Sequence, residues 1–462
     1  MLFSSISFIY YFLPFLLLIY FLVPFKFKNI ILLIFSLLFY AYGEPKYIII
    51  LLLSCLINYL LGKMVYKNLE NKKSKLFLII AISYNIVQLL YFKYTDFFIE
   101  NINNIFSSDI PLLRVIMPIG ISFFTFQVLS YVIDIYNKKV EPSKSFINFS
   151  TYVCLFPQLV AGPIVRYVTV NEELKKRNHT FEDFSNGIKR FIIGLVKKVL
   201  IANVIGEMCV ALTSIATKSI LSYWLNAIGF TLQIYFDFSG YSDMAIGLGL
   251  MFGFHFLENF NYPLIASSIT DFWRRWHISL SSFLRDYVYI PLGGNRVSII
   301  KWIRNIFIVW FLTGFWHGAA WNFILWGLYF AVLLLIEKFL LTNILKKSKA
   351  LKYIYTLFFV IISFVIFNCG SLNEIGIYLK NMFGLEGLSF TSVETLYYLK
   401  SYGIILIIAI ISATPLIKNI FNKLSKTKLS IVLEPVLYIG LLILVTAFLI
   451  DASFNPFLYF RF

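Results

Sequence analysis

An all-helical, polytopic membrane protein is the fold this sequence predicts, and three observations predict it. Of its 462 residues 60% are hydrophobic and only 14% charged, with a mean hydropathy of +0.81. A soluble domain is nearer half apolar and about a quarter charged, so a bilayer must solvate part of this surface. The apolar stretches are long and continuous rather than alternating, which selects helices over a barrel. Lysines and arginines fall in short blocks between those stretches, as loops facing an anionic cytoplasmic leaflet require.

Taken in order, eleven candidate spans lie at about 5–25, 29–43, 47–62, 76–92, 112–136, 187–212, 220–236, 321–340, 352–370, 403–417 and 432–450. Shorter runs at 147–163, 240–257 and 303–316 fall below the ~20 residues of a perpendicular span, so tilted, re-entrant or interfacial pieces are expected. The first run has no basic segment before it and no small-residue cleavage pattern, so a retained helix is expected rather than a signal peptide. Lys26 and Lys28 follow span one, Lys63 to Lys75 follow span three, and Lys138, Lys139 and Lys144 follow span five. The loop 95–111 carries only acids. This pattern puts the N-terminus outside and those basic loops inside. Basic blocks at 274–304 and 338–352 flank the stretch 303–338, which should therefore enter the membrane and return as a hairpin. A single integral domain, 1–462, is expected.

The net charge of +17 does not point to nucleic acid, since no contiguous basic soluble segment exists to hold it. Cys55, Cys154, Cys209 and Cys369 are isolated in apolar runs, so neither a zinc site nor a disulfide framework is expected. No Walker, G-x-S-x-G, H-E-x-x-H or dinucleotide fingerprint is present, and no metal site is expected.

His317 lies in LTGFWHGAAWNFILWG, near the turn of the expected hairpin, with Gly314 and Gly318 allowing close backbone approach. A buried histidine bonded to a carbonyl at a bend is one reading. At membrane depth an ionisable side chain is costly and usually faces a cavity and a functional partner, so catalysis or ligand contact is the stronger reading. His277 lies in TDFWRRWHISLSSFLRDYVYIPLGGN, which reads as one interfacial amphipathic helix capped at Thr270. Its apolar stripe is Phe272, Trp276, Leu280, Phe283 and Tyr287, with snorkelling arginines opposite. Alone, His277 reads as structural as readily as functional. His179, in KKRNHTFEDF, reads as solvated and His255 as a satisfied interfacial histidine. Polar side chains interrupt three further runs: Gln127, Ser130 and Asp134; Gln158 and Arg166; Asp237, Ser239, Ser242 and Asp243. Singly each is helix–helix glue; together they resemble the walls of a wet cavity, with Gln127, Gln158, Asp237, Asp243, Trp316 and Asn322 as its candidate lining. Trp316, Trp321 and Trp326 would exclude water from it. A lone histidine as general base fits this inventory best.

At FFTFQVLSYVIDIY, PQLVAGPIVRY, FDFSGYSDMAIGLG, DFWRRWHISLSSFLRDYVYIPLGGNR and LTGFWHGAAWNFILWG the chain resembles the membrane-bound O-acyltransferase superfamily (MBOAT), nearest its alginate and polysaccharide O-acetyltransferase branch. These stretches span about 123–327, the expected catalytic core. The resemblance implies a ring of tilted helices around a central channel, with His317 as the catalytic histidine and His277 as the second motif histidine. It also implies acetyl transfer from a cytoplasmic thioester, acetyl-CoA or an acylated carrier protein, toward hydroxyls of an extracellular or cell-wall polysaccharide. No permanently bound cofactor is expected. Membrane lipids, the polysaccharide acceptor and an extracellular SGNH-type acyltransferase are the implied partners, and the plasma membrane the implied location. The teichoic acid D-alanyl transferase branch is the near alternative, and YIPLGGNR favours the acetyltransferase side. Asn203 in IANV stands where the branch carries an acid. A secondary transporter shares broken helices and midplane polar residues, but no inverted repeat supports it. A channel-forming partner of a separate extracellular transferase is a third reading.

Overall fold

The computed structural model describes residues 1–160, 162–425, 427 and 430–451. Every regular element among them is helical, as backbone groups in hydrocarbon require. Among the described residues eight helices are long and apolar enough to cross a membrane: Phe25–Gly43, Pro45–Lys67, Lys73–Phe106, Ile299–His317, Trp321–Leu345, Lys349–Asn368, Val393–Ser412 and Ser430–Asp451. Phe8–Leu22 and Ile121–Tyr136 are shorter apolar helices. Seven of the eleven expected spans fall on the eight, and the eighth is the 303–316 run extended to its full length. The expected spans at 187–212 and 220–236 differ in form. The first is Phe181–Val196 continued through a π-helical stretch, Lys197–Asn203, into Val204–Ser214; the second is part of the 32-residue helix Ile220–Met251.

Sequence punctuation sets the helix ends. Pro24 precedes Phe25–Gly43 and Pro45 opens the next turn, each where a missing N–H costs nothing. Ser145, Ser348, Ser371 and Ser392 each accept a bond from the backbone N–H three residues on, the capping geometry that satisfies an orphan donor.

The chain forms two compact units, 1–191 with 242–257, and 192–241 with 258–462. In the first, Pro45–Lys67 packs between Lys73–Phe106 and Ile121–Tyr136. Gly187 and Gly247 meet so closely there that a Cβ on either would lie 2.6–2.7 Å from the other's carbonyl oxygen, the small-residue contact membrane helices use. Cys55 and Cys154 are buried with their sulfurs 3.8 Å apart; all four cysteines are free thiols.

In the second unit, Ile299–His317 and Trp321–Ile336 form the expected hairpin. A Cβ on Gly314 would lie 2.2 Å from the Phe323 carbonyl oxygen, and one on Gly327 2.2 Å from that of Trp310. Only glycine lets the two helix backbones touch at these points. Lys349–Asn368 packs on the hairpin's second arm.

Candidate active site

His317 is the last residue of Ile299–His317, and Gly318 beyond it is extended. A side chain at 318 would strike the Phe323 ring, so this position keeps the turn tight directly after the imidazole. The His317 ring is enclosed by aromatic neighbours: Trp326 at 4.9 Å and nearly perpendicular, Trp316 at 5.0 Å, Phe367 at 5.5 Å. Trp326 in turn packs on Trp273 and Phe330, and Trp273 on Trp310. These bulky rings fix the imidazole's direction by contact on several sides.

His277 lies 6.5 Å from His317, centroid to centroid. The expected continuous helix is interrupted there. The chain runs as Ile269–Arg275 and Ile278–Leu284, with His277 between them in the left-handed region, φ 44°. The cap is Ser268, accepting from Asp271 N–H, rather than Thr270. The break is fixed from outside the segment. The Ile278 N–H donates to the Asn259 carbonyl (3.0 Å), and the Arg275 carbonyl accepts from Asn261 N–H (2.9 Å). Asn259 Oδ1 accepts from Ser279 N–H (3.1 Å) and Ser279 Oγ (2.9 Å) and lies 3.3 Å from His277 Nδ1. Ser279 Oγ also lies 3.5 Å from the same ring nitrogen, so His277, Asn259 and Ser279 form one polar cluster. The Phe238 ring stands edge-on at 4.8 Å. Both imidazoles are buried, His277 fully and His317 with 4% of its surface left, and the two ring nitrogens of His317 are themselves buried.

Four members of the expected apolar stripe, Phe272, Trp276, Leu280 and Phe283, are buried across the break, while the fifth, Tyr287, is half-buried with its ring 4.7 Å from that of Phe283. Glu337 holds the front of the segment, its carboxylate accepting from Ile269 N–H (2.6 Å), Thr270 N–H (3.3 Å) and Thr270 Oγ1 (2.7 Å). An acid isolated in the apolar run 321–340 was the signal for this contact. Asn259 gave no signal in the sequence at all.

The other expected residues divide between the units. Trp316 and Asn322 stand with the histidines in the second unit. Asn322 Nδ2 donates to the Phe367 carbonyl (3.1 Å), and its Oδ1 is buried with no hydrogen bond among the described residues. Trp321, expected as a wall, is 52% exposed, while Trp316 and Trp326 are buried. Asp237 is also in the second unit, where it forms an ion pair with Lys198, each side chain 3% exposed.

Gln127, Gln158 and Asp243 belong to the first unit. Gln127 is fully buried and its amide has no partner among the described residues. Gln158 donates to the Tyr152 carbonyl. Asp243 accepts from Arg190, with Nη2 at 2.9 Å. In that unit His255 pairs with Glu173 at 2.8 Å, as a satisfied interfacial histidine should. His179 differs from expectation: it is half-buried, and its Nε2 lies 2.8 Å from Tyr20 Oη.

Comparison with known proteins bears on this geometry. The sequence is 41% identical over 381 residues to a probable alginate O-acetylase of Pseudomonas aeruginosa, covering 80% of this chain and 73% of that one. It is 36% identical over 427 residues to a peptidoglycan O-acetyltransferase of Helicobacter pylori, covering 84% and 81%. A teichoic acid D-alanyltransferase of Bacillus subtilis is 32% identical over 242 residues, half of this chain and 61% of that one. The sequence model of MBOAT, the membrane-bound O-acyltransferase family, matches residues 37–376, a stretch that includes both histidines. With that match and relatives of this similarity over most of its length, the chain belongs to the membrane-bound O-acyltransferase family and is a multi-pass membrane O-acyltransferase.

Proposed function

We propose that this enzyme moves an acetyl group from a cytoplasmic thioester, acetyl-CoA or an acylated carrier protein, to hydroxyls of an extracellular or cell-wall polysaccharide, with His317 as general base. The observation that carries the assignment is the imidazole at the end of the hairpin's first arm, clasped by Trp316, Trp326 and Phe367 with His277 beside it. In the proposed step a hydroxyl oxygen attacks the thioester carbon while a His317 ring nitrogen takes its proton. The C–S bond breaks and the departing thiolate receives that proton. Base catalysis of this kind is worth about 10²–10⁴-fold, and the aromatic enclosure limits the water that would hydrolyse the donor. His277, 6.5 Å from His317, orients the attacking hydroxyl.

The similarity to alginate and peptidoglycan O-acetyltransferases over most of the chain supports acetyl and polysaccharide. The D-alanyltransferase likeness covers half of it. The basic loops after the first, third and fifth apolar runs support an N-terminus outside and a donor side inside. An extracellular SGNH-type transferase is a candidate partner for the final transfer.

The test is His317→Ala expressed in cells. The variant should insert at wild-type levels, and ester-linked acyl groups on the surface glycans, read by mass and NMR, should fall by about 10²-fold or more. Undiminished esters would remove His317 from the reaction. The mass of the ester separates acetyl from D-alanyl transfer in the same experiment.

A further inference from the structure

The Arg177–His179 loop of the first unit turns inward onto Tyr20 and the start of the next helix. The Tyr20 hydroxyl donates to the Phe252 carbonyl (2.9 Å) and accepts from Arg177 Nε (3.0 Å). Its proton is thereby committed, so His179 Nε2–H is the donor across the 2.8 Å contact between them. Arg177 Nη1 donates to Asn29 Oδ1 (2.7 Å) and the Glu173 carbonyl (3.0 Å). Its Nη2 is buried and has no hydrogen-bond partner among the described residues. Lys28 Nζ stands 4.4 Å over the same Tyr20 ring and 5.0 Å over Phe21. The Arg177 guanidinium lies 4.4 Å over Phe254 and 5.8 Å over Tyr20.

Arg177 and Lys28 are only 6% and 9% exposed, and neither forms an ion pair with a carboxylate among the described residues. Glu173, on the helix that leads into this loop, spends its carboxylate on the ring and amide of His255. Burial, then Lys28 and Arg177, hold the His179 imidazole down to about 4. Aromatic faces attract cations, but the rings of Tyr20, Phe21, Phe25 and Phe254 offset only part of the cost of removing two like charges from water. A planar guanidinium edge, an ammonium and an imidazole around one ring match an anion with several acceptor oxygens.

We propose that Lys28, Arg177 and His179 form a binding site for a phosphate ester in the first unit. A lipid headgroup at this site is independent of the acyl-transfer reading, and coenzyme A at this site rests on it. Two sources carry that chemistry, the headgroup of an anionic phospholipid and a phosphate of a soluble ester such as coenzyme A. The site predicts that a bound phosphate favours the charged imidazole of His179.

The test uses the full chain in a phosphate-free maltoside detergent, with labelled histidine rings followed by NMR across pH and His179 assigned by His179→Gln. One arm adds phosphatidylglycerol, a second adds coenzyme A or inorganic phosphate, and a control adds sodium chloride at equal ionic strength. In at least one arm the His179 midpoint should rise by about 1–3 pH units over the control, as an opposite charge within ~4–6 Å does. Arg177→Gln and Lys28→Gln should abolish the rise. A shift confined to the lipid arm assigns the headgroup, and one confined to the other arm the soluble ester. Identical midpoints in all arms overturn the proposal, and this wild-type comparison decides even if the variants fail to fold.

Discussion

Asp237 allows a sharp test of whether a buried acid of the second unit serves the fold or the substrates. Its partner Lys198 lies on the π-helical stretch Lys197–Asn203, and both side chains are 3% exposed. Lys198→Met removes one charge and leaves the other buried without it. Breaking a buried pair in this way costs about 3–5 kcal/mol, whereas replacing both members with apolar residues is often neutral. At 1.36 kcal/mol per decade, the single variant should shift the folding equilibrium by roughly 10² to 10³-fold or more. The double variant Lys198→Met with Asp237→Leu should recover most of that loss. Thermal unfolding of the detergent-solubilised protein, followed by size-exclusion fluorescence, measures stability; surface ester content measures function. A structural pair requires an unstable single variant and a double variant that is both stable and active. A Lys198→Met protein as stable as the parent would refute the burial argument. A stable but inactive double variant would instead give Asp237 a role toward the substrates.

Gly314→Val places a Cβ where the Phe323 carbonyl oxygen is 2.2 Å away, so the hairpin must open. Overpacking of this kind costs about 1–3 kcal/mol, and a lower unfolding temperature together with reduced ester content is the expected result. Asn259→Ala strips the acceptor from the Ser279 amide and hydroxyl at a cost of about 1–3 kcal/mol. Asn259→Asp, which keeps an acceptor, should retain more stability and more activity, as unfolding curves and ester content will report. Glu337→Ala leaves the Ile269 N–H buried without its carboxylate. It should lose about 2–3 kcal/mol, visible as a lowered melting temperature, with Glu337→Gln intermediate.

What could be read from the sequence was whatever the bilayer itself imposes. Long apolar runs and basic loops answer to hydrocarbon thickness and leaflet charge, so Pro45–Lys67 and Lys349–Asn368 were visible as strings of letters. The hairpin around His317 followed from charge on both flanks. The break at His277 was not legible, because Phe272, Trp276, Leu280 and Phe283 keep a helical spacing across it. Its cause is Asn259, outside the segment and reached only by tertiary folding. The Lys198–Asp237 pair was hidden by 38 intervening positions and by the habit of reading an acid among aromatics as a cavity wall. His179 was misjudged because its neighbours in the chain are polar, while its neighbours in space are Tyr20, Phe21 and the Phe252 carbonyl.

The piece before His277 is seven residues long, and the one after it is seven residues continued by the five-residue π-helical turn Arg285–Tyr289. Helices shorter than about 12–15 residues do not persist alone in water, so this imidazole inherits its coordinates from distant parts of the chain. Accuracy at that position is therefore a collective property of the second unit. Evolution or engineering can tune it remotely, through the asparagine, the glutamate or the glycine crossing, without altering either histidine.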